Sequence, residues 1–253
     1  MSVTSTAAVV LHTFRYGETS KIVRLATRTH GVVSAIAKGA ERPKSRFGAR
    51  LQSLSDGVAH VYFKPNRDLQ TLAGFDVENQ RTELARNVSR YASGLAVAEL
   101  MLRFSPHEPV EDLFLLLVNG LDAISNAEEI VLPEVALTAV WSMVAALGYL
   151  PQLSHCAVDG QEIGPGPAAF SISDGGFVCP SCARGKETSS IGEGDRRALE
   201  AFVEGRLPET GILPGNHRAA HRRLAARFVR YHVAHGRELK ALDFWEAAAW
   251  NGM

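Results

Sequence analysis

The spacing of apolar residues divides this chain into a β-like beginning and a helical remainder. Up to residue 79, short runs of apolar and β-branched residues are separated by turn residues, as strands are. In one run Val23 and Leu25 alternate with Ile22 and Arg24, which places the two pairs on opposite faces of a strand. After residue 80, apolar residues recur at every third or fourth position, which indicates helices. The pattern therefore predicts an α+β protein.

The first 79 residues contain five such runs, and this number predicts a small closed barrel of the OB-fold type. The runs are TAAVVLHTFR, KIVRLATR, GVVSAIAKG, GVAHVYFKP and LQTLAGFDV. An OB-fold commonly binds nucleic acid with the loop between strands 1 and 2 and the loop between strands 4 and 5. In this chain those loops are RYGETSK and KPNRD, and the residues PNRD within the second are a strong turn signal.

Six helices are predicted after the barrel. They are built around Leu84–Leu102, Val110–Ile124, Pro133–Leu147, Gly194–Glu204, His217–His235 and a short segment with Leu242, Trp245 and Trp250. Pro133 suits a first helical turn, while Gly148 and Gly236 suit positions at which helices end. We therefore expect an OB-fold domain over 1–79, a helical domain over 80–150 and 188–253, and an insertion over 151–187.

The insertion contains residues with the spacing of a zinc-knuckle-like module. Cys179 and Cys182 form a C-x2-C pair, and Cys156 is followed by Asp159 where a second pair would have its other cysteine. Carboxylate oxygen is an accepted zinc ligand, and His155 is a rival for the fourth position. Glycines follow both turns, and FSISDGGFVC between them predicts a hairpin. The module is therefore either a structural zinc site made of these three cysteines and Asp159, or a degenerate one.

Charge is distributed unevenly along the chain, although its net charge is zero. Residues 1–79 carry 11 Lys or Arg against 6 Asp or Glu, so the remainder has an equal acidic excess. Between Lys38 and Arg50 there are five basic residues and one acid, Glu41. A basic first part suggests contact with a polyanion, and a different role for the acidic part.

Several function classes find no support in the sequence. The start MSVTSTAAVV resembles no signal peptide, and the longest nearly apolar stretch, VALTAVWSMVAALGYL, has 16 residues, which is short for a membrane span. Three cysteines make no disulfide framework, so we expect a reduced, cytoplasmic protein. No P-loop, G-x-S-x-G or dinucleotide fingerprint is present, and no histidine opens the H-x-E of a zinc deaminase. We expect no enzymatic activity.

A basic OB-fold without catalytic residues is typical of a nucleic-acid binder. We expect its cations to neutralise phosphates, and Tyr16, Phe47 and Tyr62 are candidates for stacking on bases, although either Tyr62 or Phe63 must face the core. The candidate DNA-binding residues are Arg15, Lys21, Arg24, Lys38, Arg42, Lys44, Arg46, Arg50, Lys64 and Arg67.

The helix predicted over 217–235 carries histidines and arginines. His217 and His221 share one helix face and are a possible metal pair, but the surrounding arginines favour a solvated basic face. The arginines are candidates for the basic rim of an apolar groove that binds an acidic peptide, and the alternative is that they pair with acids of the chain itself. They are Arg218, Arg222, Arg223, Arg227 and Arg230.

Two motifs give the chain a resemblance to a known family. The segment Y-G-E-x-S followed by K-G-x-x-x-P-K-S-R is similar to the start of RecO, the bacterial recombination mediator family, and the order of the later elements also fits. The resemblance implies an OB-fold that binds single- and double-stranded DNA, a helical domain and, in some members, a zinc module of four cysteines. It implies as partners RecR and the acidic tail of single-stranded DNA-binding protein. The chain departs from the family pattern at Asp159 and Glu41.

On this resemblance the protein would act mechanically at the nucleoid. It would hold DNA strands, promote annealing and help displace the single-strand binding protein so that recombinase can load. The rival interpretation is an interaction scaffold whose barrel binds only protein, and a salt-dependent affinity for DNA would separate the two.

Overall fold

The computed structural model describes residues 2–64, 67–209 and 211–247. The predicted turn residues Pro65 and Asn66 and the predicted helical residue Trp250 lie outside this part of the chain. The protein divides into two compact units, residues 1–126 and 127–253. The division groups the helices between residues 80 and 126 with the barrel rather than with the later helices.

The first unit begins with the five-stranded closed barrel that the sequence predicts. The strands are β1 Thr4–Tyr16, β2 Ser20–Thr27, β3 Gly31–Ala37, β4 Asp56–Tyr62 and β5 Leu69–Asn79. Their order around the barrel is β1-β2-β3-β5-β4, and the connections define an OB-fold. All neighbouring strands are antiparallel except β3 and β5, which are parallel and share three residue pairs, from Ser34 with Leu69 to Ile36 with Thr71. Every other pairing in the described barrel has six or more.

The barrel interior follows the predicted alternation. Val23 and Leu25 of β2 point into the core, together with Val10 of β1, Val61 of β4 and Phe75 of β5. Ile22, Arg24 and Ala26 alternate with these two residues of β2 and belong to the outer face, where Ile22 and Ala26 are nevertheless buried. Burial on both faces is expected because a helix also packs against the outside of β1 and β2.

Three helices complete the first unit: α1 Thr82–Arg86, α2 Val88–Phe104 and α3 Glu111–Asn126. The side chain of Asn87 caps α2 by accepting hydrogen bonds from the backbone N–H groups of Ser89 and Arg90 at 2.9 and 3.2 Å. Helix α2 packs against β1, β2 and α3. At Gly94 a Cβ would lie 2.9 Å from a methyl group of Leu54, so glycine allows close packing of α2 at this point.

Arg81 is a buried cation at the junction of barrel and helices in this unit. Its side chain is 1% exposed and forms ion pairs with Asp56 of β4 and Asp122 of α3, the latter at 2.8 Å. It also donates to the carbonyl of Leu54 at 2.9 Å. The residue adopts the left-handed conformation, φ 44°, and its N–H donates to the side chain of Asn79. Burial raises the pKa of Asp56 in spite of the attraction to Arg81, so the ion pair offsets only part of the cost of desolvation.

The described part of the second unit contains four α-helices: α4 Leu132–Ala146, α5 Glu193–Val203, α6 Gly215–Phe228 and α7 Lys240–Ala247. Pro133 lies in the first turn of α4, and Gly148 has φ +92° just after it, as predicted. Trp141 of α4 is buried, with its ring 5.2 Å from that of Phe228. The helix predicted from His217 to His235 is present as α6 followed without a break by a π-helical turn over Val229–Val233, and Gly236 has φ +81° just beyond it. No helix in the described residues is both long and apolar enough to span a membrane.

The insertion contains the predicted hairpin and one strand that the sequence did not indicate. The hairpin consists of β6 Ala168–Ser171 and β7 Gly176–Val178, and the third strand, β8 Ser189–Ile191, pairs with β6. The small sheet thus continues past residue 187, where the sequence placed the end of the module. Strand β8 has only three residues, too few for an alternating pattern to reveal it.

We expect Arg81→Ala to lower the free energy of unfolding of the first unit by about 3–5 kcal/mol, because it leaves Asp56 and Asp122 without their buried cation. The matched control is Arg86→Ala, which removes an exposed pair with Glu83 and should cost less than about 1 kcal/mol. The chain's three tryptophans lie beyond residue 126, so tryptophan fluorescence would report on the second unit only. Hydrogen exchange of residues 2–64 and 67–126 measures the stability of the first unit instead. Equal effects of the two substitutions would contradict the assigned role of Arg81.

Candidate functional site

The basic loop, residues 38–50, is held to the barrel by apolar side chains. Ala40, Phe47 and Leu51 all belong to the buried barrel core. The prediction that Phe47 stacks on bases is wrong, because its side chain lies inside the barrel and is only 1% exposed. The guanidinium of the exposed Arg46 lies 5.2 Å from the centre of the Phe47 ring, which is a cation–π contact.

The basic loop also lies against the turn between β1 and β2. The backbone N–H of Glu41 donates to the carbonyl of Thr19 at 2.9 Å, and the Glu41 carboxylate lies 3.0 Å from the Lys21 ammonium. Glu41, the acid that departs from the family pattern, therefore neutralises one of the predicted phosphate contacts. The same two contacts bring the basic loop next to the segment RYGETSK.

Five cations of the basic loop point outward. Their side chains are exposed, and within the described residues none of them forms an ion pair. They are Lys38, Arg42, Lys44, Arg46 and Arg50. Such a cluster without acidic partners is an anion-attracting surface.

The loop between β4 and β5 is organised by Gln70. Its side chain accepts a hydrogen bond from the backbone N–H of Lys64 at 2.7 Å and donates to the carbonyls of Lys64 and Arg67. Lys64 is half-buried and Arg67 is exposed. Phe63 packs against the barrel core and its ring stacks on His30 with centroids 4.0 Å apart, so Phe63 rather than Tyr62 is the core residue.

The remaining predicted contacts lie on β1 and β2. Arg15 and Tyr16 are exposed at the end of β1, whereas Arg24 is half-buried on the outer face of β2, apart from the loops. Phe14 is also exposed, at 44%, and the sequence reasoning passed over it. The two-residue period of a strand could have revealed it, because it places Phe14 on the same face as Tyr16.

The four predicted metal ligands are brought together in the second unit. One ligand atom from each of Cys156, Asp159, Cys179 and Cys182 lies within 4.8 Å of all the others. The rival ligand His155 is not in this group, and its Nδ1 lies 2.9 Å from the hydroxyl of Ser154. The four residues could hold a metal ion.

Two backbone turns create this arrangement. The N–H of Gly160 donates to the carbonyl of Cys156, and the N–H of Ala183 donates to that of Cys179, each at 2.9 Å. Gly160 and Gly185 have positive φ angles of 74° and 73°, which glycine adopts without strain. The N–H of Cys179 points at the sulfur of Cys156 at 3.3 Å, as an N–H does when it stabilises a thiolate. Both turns have the knuckle form that the glycines predicted.

The donor set suits a divalent cation of intermediate softness. Hydrogen bonds from the backbone N–H of Gln161 and then from the cysteines lower the pKa of Asp159 to about 2. The interaction with Asp159, followed by burial, raises the pKa of the Cys182 thiol to about 12. A metal ion would reverse the second effect, because a coordinating thiol is deprotonated outright. Three thiolates and one carboxylate are ligands that Zn²⁺ accepts in tetrahedral sites.

The histidines of α6 do not form the solvated face that the sequence favoured. His221 is 3% exposed, and both histidines approach Asp195 of α5, His217 at 2.8 Å and His221 at 3.1 Å. Burial lowers the pKa of His221, while Asp195 opposes that shift. The sequence missed this cluster because Asp195 lies on a different helix, 22 positions before His217.

Four of the five arginines of this region are bonded within the second unit. Arg218 pairs with buried Glu134, Arg227 with exposed Glu187, and Arg230 with Asp243 and Glu246, while Arg222 donates to a backbone carbonyl. Arg223 is exposed, and the described residues give it no hydrogen-bond or ion-pair partner. It borders a cavity of about 250 Å³ together with Ser189, Ser190, Ile191, Asp195, Ala220, His221, Leu224 and Arg227.

Comparison with known proteins gives consistent matches over the chain. Residues 1–81 match the family model described as Recombination protein O N terminal, and residues 85–242 match Recombination protein O C terminal. A protein of Anaeromyxobacter sp. (strain K), named DNA repair protein RecO, is 33% identical over 243 residues, which cover 93% of each chain. A protein of Streptomyces avermitilis with the same name is 36% identical over 193 residues, which cover 72% of this chain and 75% of that one.

Proposed function

Because the chain belongs to the RecO family of DNA repair proteins, we propose that it is a recombination mediator that binds single- and double-stranded DNA through its barrel. It promotes annealing of complementary strands and helps load recombinase onto DNA coated with single-strand binding protein. No bond is broken in this action, so the protein is not an enzyme, and it works at the nucleoid in the cytoplasm.

The observation that carries the proposal is the convergence of two basic segments. The hydrogen bond from Glu41 to Thr19 and the ion pair of Glu41 with Lys21 support a single surface formed by the basic loop and the β1–β2 turn. The five unpaired cations of the basic loop are available for phosphates on that surface. Phosphate contacts carry no base information, which suits a mediator that must act on any sequence.

The proposed protein partners are a RecR-like protein and the acidic tail of single-stranded DNA-binding protein. For the tail we favour the cavity beside Arg223, because apolar Ile191 and Leu224 lie beside this cation, which has no hydrogen-bond or ion-pair partner in the described residues. An acidic peptide ending in an apolar residue is complementary to such a pocket. The other arginines of α6 and the π-helical turn serve internal ion pairs and hydrogen bonds instead.

The metal site is proposed to be structural. Zn²⁺ held by Cys156, Asp159, Cys179 and Cys182 would cross-link the two knuckle turns and so contribute directly to the folding of the insertion. All four positions would be taken by the protein, which leaves no open position for a substrate. The chain's own contribution is to fix the ligand geometry with the backbone turns at Gly160 and Gly185.

Replacing both Lys44 and Arg46 with alanine should make the affinity for single-stranded DNA depend less steeply on salt concentration. Each phosphate contact contributes about 0.7 to the slope of log K against log salt concentration, so the double variant should lose roughly 1.4. Affinity should fall equally for different sequences, and annealing should weaken in parallel. Binding titrations across a salt series measure this, with Arg86→Ala as an exposed control in the same unit. An unchanged slope would exclude the basic loop, and the absence of any salt-dependent DNA binding would favour a scaffold that binds only protein.

Charge reversal at Arg223 should weaken binding of a single-strand binding protein tail peptide by roughly five- to thirtyfold. The reversal replaces an attraction with a repulsion of similar size, each about 0.5–1 kcal/mol for surface charges. Arg237→Glu is the matched control, since this exposed arginine is outside the cavity. Fluorescence anisotropy of a labelled peptide gives both affinities. Equal affinities of Arg223→Glu and the control would move the tail site elsewhere.

Protein purified without chelator should carry about one zinc ion per chain, since structural sites bind tightly enough to survive purification. Asp159→Ala should lose the metal, Asp159→Cys should retain it, and His155→Ala, which removes the rival ligand, should retain it as well. Removing zinc should increase hydrogen exchange in residues 151–187 and leave the barrel unchanged. Elemental analysis decides the question, and less than about a tenth of an ion per chain would mark the site as vestigial.

A further inference from the structure

Three aromatic side chains form a row on the outer face of β1. His12, Phe14 and Tyr16 occupy every second position, so their side chains emerge on the same side of the strand. Phe14 is 44% exposed and Tyr16 51%, and the rings of His12 and Phe14 lie 6.0 Å apart. We call these residues the aromatic row. Exposed aromatic side chains that lie next to one another are typical of a surface that binds a ligand or a macromolecular partner.

An irregularity in the strand separates this row from the covered part of the barrel. The pairing of β1 with β2 shifts register between Val10 and His12. Residues 8–11 before the shift are buried, whereas His12, Phe14 and Tyr16 after it are all exposed. Bulges of this kind re-aim the side chains that follow them. The row therefore lies beyond the part of the outer face that is covered.

Two arginines stand beside the row without an anion. Arg24 is directly opposite His12 in the strand pairing and therefore on the same face, and its Nε is buried without a hydrogen-bond partner. Burial and then the nearby charge of Arg103, in the last turn of α2, lower the pKa of Arg24. In the described residues neither guanidinium has an ion-pair partner. Arg24 is half-buried and Arg103 is exposed, so this side of the first unit presents positive charge that attracts an anion.

We propose that the aromatic row and the arginine pair Arg24 and Arg103 bind single-stranded DNA, with bases stacked on Phe14 and Tyr16 and a phosphate held between the two guanidinium groups. This rests on the proposed DNA binding of the barrel and adds to it a site for the bases. Base-to-aromatic stacking and a cationic track together are how strand-binding proteins hold DNA without sequence preference.

The aromatic row favours an unpaired strand over a duplex. In a duplex both faces of each base are covered by its stacked neighbours, so a base can reach Phe14 or Tyr16 only by leaving the stack and its pairing. Duplex DNA would still contact the basic loop through its phosphates. The row thus distinguishes the two forms of DNA that the protein handles.

The test compares oligothymidylate of about 16 nucleotides with a duplex of the same length, the upper site size of one OB-fold. The Phe14→Ala/Tyr16→Ala variant should bind single strands more weakly, by roughly five- to a hundredfold for each ring that stacks on a base. The dependence of its affinity on salt concentration should not change. Its duplex affinity should stay within about twofold. The Arg24→Ala/Arg103→Ala variant should instead reduce the single-strand salt slope by about 0.7, the contribution of one phosphate contact. Leu115→Ala, another exposed apolar residue of the first unit, is the control for lost surface area.

The outcomes separate the inference from the function on which it rests. If the wild-type chain binds neither DNA, the proposed function fails, and the inference with it. If the wild type binds both but Phe14→Ala/Tyr16→Ala binds single strands as the wild type does, only the inference is overturned. An aromatic double variant that keeps DNA affinity but loses the tail peptide would assign the row to a protein partner and also overturn it. Phe14→Leu/Tyr16→Leu keeps apolar side chains at both positions and supplies the same comparison should the alanine variant fold poorly.

Discussion

The first unit depends on one desolvated cation. Arg81 links a barrel strand through Asp56, the loop before that strand through the carbonyl of Leu54, and helix α3 through Asp122. Because Arg81 is the residue just before α1, fixing it also fixes where α1 and then α2 begin. Helix α2 also carries Arg103, whose charge acts on Arg24 of β2. A buried ion pair adds little net stability, but it specifies which elements meet.

The sequence predicted the barrel well because its information is local. Alternation on β2 correctly separated Val23 and Leu25 from Ile22 and Arg24. The C-x2-C spacing and the glycines after it predicted that the four candidate metal ligands lie close together, as they do. Phe47 was assigned wrongly because a loop has no period, so nothing in the sequence shows which loop side chains turn inward. His221 and its partner Asp195 lie on two different helices. The apolar pattern of each helix shows which of its faces is buried, but not which other helix packs against that face.

The two surfaces proposed for DNA have different physical characters. The basic loop offers exposed charges whose effect is screened by salt. The aromatic row offers apolar area and orientation, which salt affects little, and Arg24 beside it is half-buried. A strand held by both would keep its contacts at the row when ionic strength weakens those at the loop. A duplex held by the loop alone would dissociate first.

The parallel pairing of β3 and β5 has a consequence for how the barrel moves. With three residue pairs it is the shortest seam in the described barrel, and parallel pairing is also slightly weaker per residue. Local opening of a protein begins where the fewest backbone hydrogen bonds must break. The barrel should therefore open locally between β3 and β5 before its other strand pairs separate. The basic loop starts at the end of β3, immediately beside the seam. Opening of this seam would loosen the start of the basic loop, while Phe47 keeps the later part of the loop anchored in the barrel core.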